Sequence, residues 1–456
     1  MSHTAILILQ FNSISITVFI FTRTDENDND NDSYNADNGF TMGGAAKTHR
    51  NNKTRAPSNI NSERQFRLVA MMALVMILFV NFVFLSKETD SLEHVPHSLK
   101  HYLSHRSKDR KLDEAFSACM LIMDDNHRLT EWLAYHYHVL PLDYLVVAVD
   151  PNSKTSPSVI LDQWRGYGMT IIEWNNTEIY EGRIWEYENI VLKRKRFPHD
   201  HRQRQNMFLR NCLAHMKQEN RTWVMLTDSD EYLLFNGPPK TNKNFAHVTY
   251  PSVKKESSIL DFLNKERNRP EANLSAPCIS IPRVLFGGID NKEDEVRKNV
   301  PRGFDPIVFD TIHYRKHIRR TNKHHKANGY SKSIIDVSRV NWTDFPTPEE
   351  AFKTFPWQMN VHQPLPKICP PLGIRDDATL FRINHYLGSW EAFSYRQDAR
   401  ASEGRNKSVW QDKADQADET DDNIRPWLQG FVEEHGTAKA LEMLRETGVF
   451  TEKEIK

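Results

Sequence analysis

Asp228 and Asp230, one residue apart, are the pair in this chain whose type and spacing point most directly to chemistry. In an extended segment, residues i and i+2 face the same side, so both carboxylates can share one cation. A hard divalent ion takes such oxygen ligands and leaves positions open for phosphate oxygens. A diphosphate leaving group needs that neutralisation, because negative charge grows on it as its bond breaks. Isolated acidic triplets are commonly solvated turns. This one closes the apolar run Trp223-Val224-Met225-Leu226-Thr227, which places it at a strand end. Glu231 follows directly, and Glu391 lies in Gly388-Ser389-Trp390-Glu391. Either could take the proton of an attacking hydroxyl in an inverting reaction, and either could equally cap a helix.

The elements that must hold these groups alternate. Apolar runs at 116–123, 144–149, 169–174 and 223–227 read as strands, and helical spacing occupies 130–139, 159–167 and 203–217. Continuous apolar strands separated by helices predict an α/β fold with a mostly parallel central sheet covered on both faces. Ligands of such sheets bind at the carboxyl ends of the strands, and Asp124, Asp150 and Asp228 all stand there.

The blocks Glu131-Trp132-Leu133-Ala134-Tyr135-His136, Arg204-Gln205, Cys212-Leu213 and Trp223…Asp228-Ser229-Asp230-Glu231-Tyr232 follow one another in a telling order. With Phe286-Gly287, Lys332-Ser333 and Asn384-His385-Tyr386 they resemble glycosyltransferase family 92 and related family 2-like transferases, over about 116–400. The resemblance implies a GT-A-type nucleotide-sugar-binding fold. It implies that Asp228 and Asp230 hold Mn²⁺ or Mg²⁺ and the donor diphosphate, and that Asp150 sits near the nucleotide base or ribose. Arg204 is then a candidate for phosphate or sugar contact, since a guanidinium fork matches such oxygens; a helix-surface ion pair is the other reading. Enzymes of this fold commonly add a late His to the metal, here His385 first and His362 second. An imidazole beside two carboxylates suits Mn²⁺ better than Mg²⁺. The activity implied is transfer of a hexose from a nucleotide-sugar, a UDP-sugar, to a glycan acceptor.

The rest of the chain bears on where this would happen. Residues 68–85 run without a charge, close to the ~20 a membrane-crossing helix needs. Lys47, Arg50, Lys53, Arg55, Arg64 and Arg67 precede them, and a basic flank belongs on the cytoplasmic side. This predicts a disordered cytoplasmic tail at 1–66 and a signal-anchor helix at 67–86. A stem at 87–113, a catalytic domain at 114–400 and a C-terminal helical extension at 401–456 would then lie in the Golgi lumen, in a single-pass type II arrangement. A diluted apolar stretch at 5–21 leaves a signal peptide open, as well as a start at Met42. The polar segment 238–273 reads as an inserted loop that shapes the acceptor side.

Sequons at Asn175, Asn220, Asn273, Asn341 and Asn406 fit a lumenal body. Cys119, Cys212, Cys278 and Cys369 permit two disulfides or buried free thiols. Lys+Arg 60 against Asp+Glu 60 gives no basic excess and so no case for a nucleic-acid partner. Paired aspartates also serve membrane-anchored phosphohydrolases and nucleotidyltransferases, and a silent carbohydrate-binding relative would keep the same blocks.

Overall fold

The computed structural model describes residues 4–11, 14–21, 116–181, 200–237, 245, 247–269, 274–298, 300–318, 330–353, 359–369, 379–396 and 405–445. In the tail expected to be disordered, strands β1 (Thr4–Phe11) and β2 (Ile14–Phe21) pair antiparallel. The remainder of 1–66, the expected membrane helix at 67–86 and the stem at 87–113 lie outside the described residues. Among the described residues no helix is long and apolar enough to cross a membrane.

The body is mixed α/β with two mixed sheets. The first takes the spatial order β5-β4-β3-β6-β11-β8, with β3 (Phe116–Ile122), β4 (Leu142–Val149), β5 (Thr170–Trp174), β6 (Trp223–Leu226), β8 (Cys278–Ile281) and β11 (Lys332–Asp336). Strands β5, β4, β3 and β6 are parallel, as the apolar runs predict, whereas β11 runs antiparallel to both β6 and β8.

Period-two alternation divides the strand residues between two cores. Ala118, Met120, Leu145, Val147 and Met225 fill one, while Cys119, Val146, Ala148, Val224 and Leu226 fill the other. Helix α1 (Asn126–Val139) covers the first face and stops before Pro141, which cannot continue a helix. Helix α2 (Ser158–Gly166) adds Trp164 to the same core. Helix α3 (Asp200–Gln218) covers the opposite face with Met207, Phe208 and Leu213. All four cysteines are cross-linked, Cys119 to Cys212 and Cys278 to Cys369, which settles the choice between disulfides and thiols.

A second sheet, β13-β10-β9-β12-β7, is built from β7 (Glu231–Phe235), β9 (Arg283–Phe286), β10 (Lys316–Ile318), β12 (Phe381–Tyr386) and β13 (Ala417–Thr420). Its edge strand β7 is sealed by α1. Trp132 Nε1 donates to the Glu231 carbonyl at 3.0 Å and the Tyr135 hydroxyl to the Leu233 carbonyl at 2.6 Å. His136 Nε2 accepts from the Leu233 N–H at 3.5 Å. The aromatic block on α1 therefore satisfies backbone groups that an open edge would leave unpaired.

The segment 238–273 is more than a loop: it carries helix α4 (Ser258–Glu266), whose Ile259, Leu260, Phe262 and Leu263 are buried in the first core. Among the described residues beyond 400, helices occupy Lys407–Asp415, Pro426–His435 and Thr437–Met443, and Ala417–Thr420 forms strand β13. Helix α5 (Trp390–Tyr395) follows β12, and helix α6 (Pro426–His435) packs Trp427 against Tyr135.

Candidate functional site

The acidic motif lies where the chain leaves one sheet for the other. It is not an extended segment. Ser229 and Asp230 form a turn between β6 and β7, closed by the Glu231 N–H donating to the Asp228 carbonyl at 3.1 Å. The two carboxylates consequently meet different partners.

Asp228 faces β11. Its Oδ2 lies 2.9 Å from Lys332 Nζ, and Lys332 stands 2.9 Å from Glu231 Oε2. The register explains the meeting: Ser333 pairs with Leu226, so Lys332 arrives just beyond the end of β6. Burial pushes the Asp228 pKa up, but the charge and hydrogen bond of Lys332 together with the Arg283 charge outweigh it and hold the carboxyl below its ordinary value. Burial likewise opposes the Lys332 charge, and Asp228 and Glu231 outweigh it, raising that pKa.

Asp230 faces β12 and α1. His385 Nε2 stands 3.6 Å from its Oδ2, with Arg128 Nη1 at 3.5 Å and Arg396 Nη2 at 3.9 Å. Pairing of β12 with β7 places His385 opposite Glu231, and the Tyr386 N–H donates to the Asp230 carbonyl at 2.9 Å. Burial works against the Asp230 charge, yet His385, Arg396 and Arg128 hold this carboxyl well below the usual range. Alongside, Asp125 Oδ2 accepts from the Ser229 hydroxyl at 2.8 Å and pairs with Arg396.

Ligand-type atoms of Asp230, Glu231 and His385 lie within 4.8 Å of one another. Glu231 is nevertheless a poor ligand and a poor base. Its Oε1 accepts from Arg283 at 3.1 Å, and its Oε2 from the Asp228 N–H at 3.1 Å and from Lys332. A fully buried carboxylate so engaged has little left to offer. Asp230 Oδ1 and His385 Nδ1, in contrast, are buried without a hydrogen bond. Asp228 keeps an outward face, its side chain being 38% exposed. An unengaged carboxylate oxygen beside an imidazole is a donor set that fits Mn²⁺ or Mg²⁺. The holders would be Asp230 and His385; Asp228, paired with Lys332, is outside the group of atoms that converge there.

His362 lies on the Asp228 side. Burial together with Lys332 and Arg283 pushes its pKa down to about 3, so the ring is neutral. Its Nδ1 must donate to the Ser331 carbonyl at 2.6 Å, which leaves Nε2 as an acceptor. Asp150 ends β4 and accepts from the Asn152 N–H at 2.9 Å. Arg204 braces that strand end: Nη2 donates to the Val149 carbonyl and Nε to Asn176 Oδ1, both at 2.8 Å, with Asp150 3.8 Å away. Glu391 is exposed in the first turn of α5.

Sequence reasoning missed the cations. Lys332, Arg283, Arg128 and Arg396 each counter a carboxylate here, and a basic residue inside an apolar strand such as Lys332-Ser333-Ile334-Ile335 was the available signal. Behind Arg128, sequence reasoning does not single out Asp310, and it gives Glu131 only as the first residue of a block, with no role. Glu131 accepts from the backbone N–H groups of Asp310 and Thr311 at 2.8 and 3.0 Å. Burial and the Asp310 charge push Glu131 up to about 8. A hollow of about 640 Å³ lined by Asn291, Arg315, Asp422 and Arg425 includes none of the motif residues.

No family model matches the chain, and no curated protein matches it. Among solved structures the chain is similar to S. aureus TarS 1–349, 12% identical over 75% of this chain and 77% of that one, with a TM-score of 0.24. The same TarS segment in complex with UDP-GlcNAc is 11% identical over the same shares, with a TM-score of 0.28. A likeness of that depth carries no argument about fold or chemistry.

Proposed function

We propose that this chain is a metal-dependent glycosyltransferase of GT-A type that moves a hexose from a UDP-sugar to a glycan hydroxyl. One observation carries the reading: just past the carboxyl ends of the parallel strands, buried Asp230 sets Oδ2 3.6 Å from His385 Nε2 and keeps Oδ1 without a hydrogen bond. The block order in the sequence supports it. A bound Mn²⁺ or Mg²⁺ would supply the positive charge that a departing diphosphate requires.

The chain's own residues do the rest. Asp150, steadied by Arg204, offers a carboxylate to the nucleoside at the end of β4, which β3 separates from β6. The acceptor oxygen bonds to the anomeric carbon as the bond to the diphosphate oxygen breaks, and the electron pair leaves with the diphosphate. Glu231 is fully engaged by cations. Of the two expected bases, Glu391 is therefore the carboxylate open to receive the hydroxyl proton.

The test is transfer by the full chain with UDP-sugars, Mn²⁺ and glycan acceptors. Asp228→Ala with Asp230→Ala should cut turnover by roughly 10²–10³, the scale of losing a main electrostatic group. Unchanged turnover rejects the metal assignment. Phosphate release or nucleotide transfer without a sugar acceptor favours the hydrolase or nucleotidyltransferase reading.

We place the reaction in the Golgi lumen, behind an anchor at 67–86. Asn175, Asn220, Asn341 and Asn406 are all exposed sequon asparagines, and two disulfides suit an oxidising compartment. Removal of N-glycans from cell-expressed protein should increase its gel mobility. An unshifted band rejects the lumenal placement.

A further inference from the structure

One side chain ties Asp230 to the chain after His385 and to Asp310, and nothing in the proposed chemistry uses it. Arg128 sits in the first turn of α1 with its side chain only 5% exposed. Its Nη1 reaches Asp230 Oδ2 at 3.5 Å and donates to the Tyr386 carbonyl at 3.3 Å. Its Nη2 donates to the Leu387 carbonyl at 3.2 Å, and its Nε lies 2.8 Å from Asp310 Oδ2. The fork thus spans the acidic turn, the chain just after His385, and the helical turn Asp310–His313.

The backbone is shaped to receive it. Gly388 adopts φ +75, and a Cβ there would lie 1.6 Å from Arg128 Nη2. No other residue type leaves room for the guanidinium in this place. Lysine could supply the charge but not the planar fork that grips two carbonyls and two carboxylates together.

We infer that Arg128 is a positioning residue that sets the spacing between the Asp230 carboxylate and the His385 imidazole, and through it the affinity and selectivity for the divalent cation. This rests on the metal reading above. Groups that orient metal ligands typically change affinity by roughly 10–100-fold when altered. A residue needed only for packing would lower the melting temperature and leave the folded protein's affinity alone.

The experiment titrates the full chain with Mn²⁺ alone, following the free-ion electron paramagnetic signal, and repeats the titration with Mg²⁺ as competitor. Arg128→Lys should weaken Mn²⁺ binding roughly 10–100-fold and narrow the preference for Mn²⁺ over Mg²⁺, because imidazole is what favours Mn²⁺. Gly388→Ala, which leaves Arg128 in place but denies it its seat, should do the same and covers the case in which Arg128→Lys fails to fold. With His385→Gln already present, Arg128→Lys should add little, since both act through one spacing. Native Mn²⁺ affinity in either folded variant overturns the inference, as do losses that simply multiply with His385→Gln. A native chain that binds no Mn²⁺ overturns the metal reading and this inference with it.

Discussion

The two sheets meet at residues 227–231 and are built on opposite logics. In the first, β3, β4 and β5 follow one another through helical crossovers, and β3, β4 and β6 are apolar runs buried on both faces. In the second, β7 pairs with β12 and β12 with β9, so partners come from distant parts of the chain. The first sheet supplies the platform and the strand ends bearing Asp150 and Asp228. The second supplies His385 and Arg283, the groups that make an acidic turn into a site. Packing explains the parallel part of the one; charge matching explains the other, together with Lys332 at the start of β11.

The largest expected effect attacks the charge matching where the sheets touch. Lys332→Met should strand Asp228 and buried Glu231 without their shared cation, at a cost of about 3–5 kcal/mol. Urea unfolding measures it, and a loss below about 1 kcal/mol, the worth of a surface pair, would mean the cluster is solvated. Next come equal cuts in the two sheets. Leu145→Ala in β4 and Ile383→Ala in β12 each empty a fully buried site and should each cost about 2–5 kcal/mol. Only Ile383→Ala, two residues from His385, should also weaken Mn²⁺ binding. If both weaken it equally, the division of labour between the sheets is false.

Replacing Cys119 and Cys212 by Ser should cost about 2–4 kcal/mol, read as a lower denaturant midpoint with Mn²⁺ affinity retained, because the bridge ties α3 to the first sheet alone. The most gradual effect is a pH slope. Glu131 is pushed up to about 8 from its ordinary 4.5. Between those pH values the folded chain keeps a proton that the unfolded chain has released. Native stability should therefore fall as pH rises through that window, by up to about 1.4 kcal/mol per unit. Thermal melts at pH 5 and 8 should show this decline in the native chain and lose it in Glu131→Gln. Parallel melting curves would mean that Glu131 is ionised in the fold.

These contrasts also mark what could be read from residues in order. The first sheet was legible because its signals are local: Tyr144 to Val149 and Trp223 to Leu226 announce themselves within a few positions. Asp230 and His385 were found as chemistry-bearing types, but their meeting depends on the β7–β12 register, which no local pattern encodes. The extended geometry read for Asp228 and Asp230 gave way to a turn because β7 departs into another sheet. Arg128, Arg283 and Lys332 look like ordinary basic residues until burial gives each a carboxylate to answer.

The long reach of that second sheet has a consequence for biosynthesis. Asn236 at the end of β7 bonds to Thr379, 143 residues later. A nascent chain can finish β3 to β6 while Asp230 still lacks His385, Arg396 and the carbonyls that seat Arg128. Distant pairings of this kind close late, so the pocket of charge is assembled last, after translation has carried residue 396 out of the ribosome.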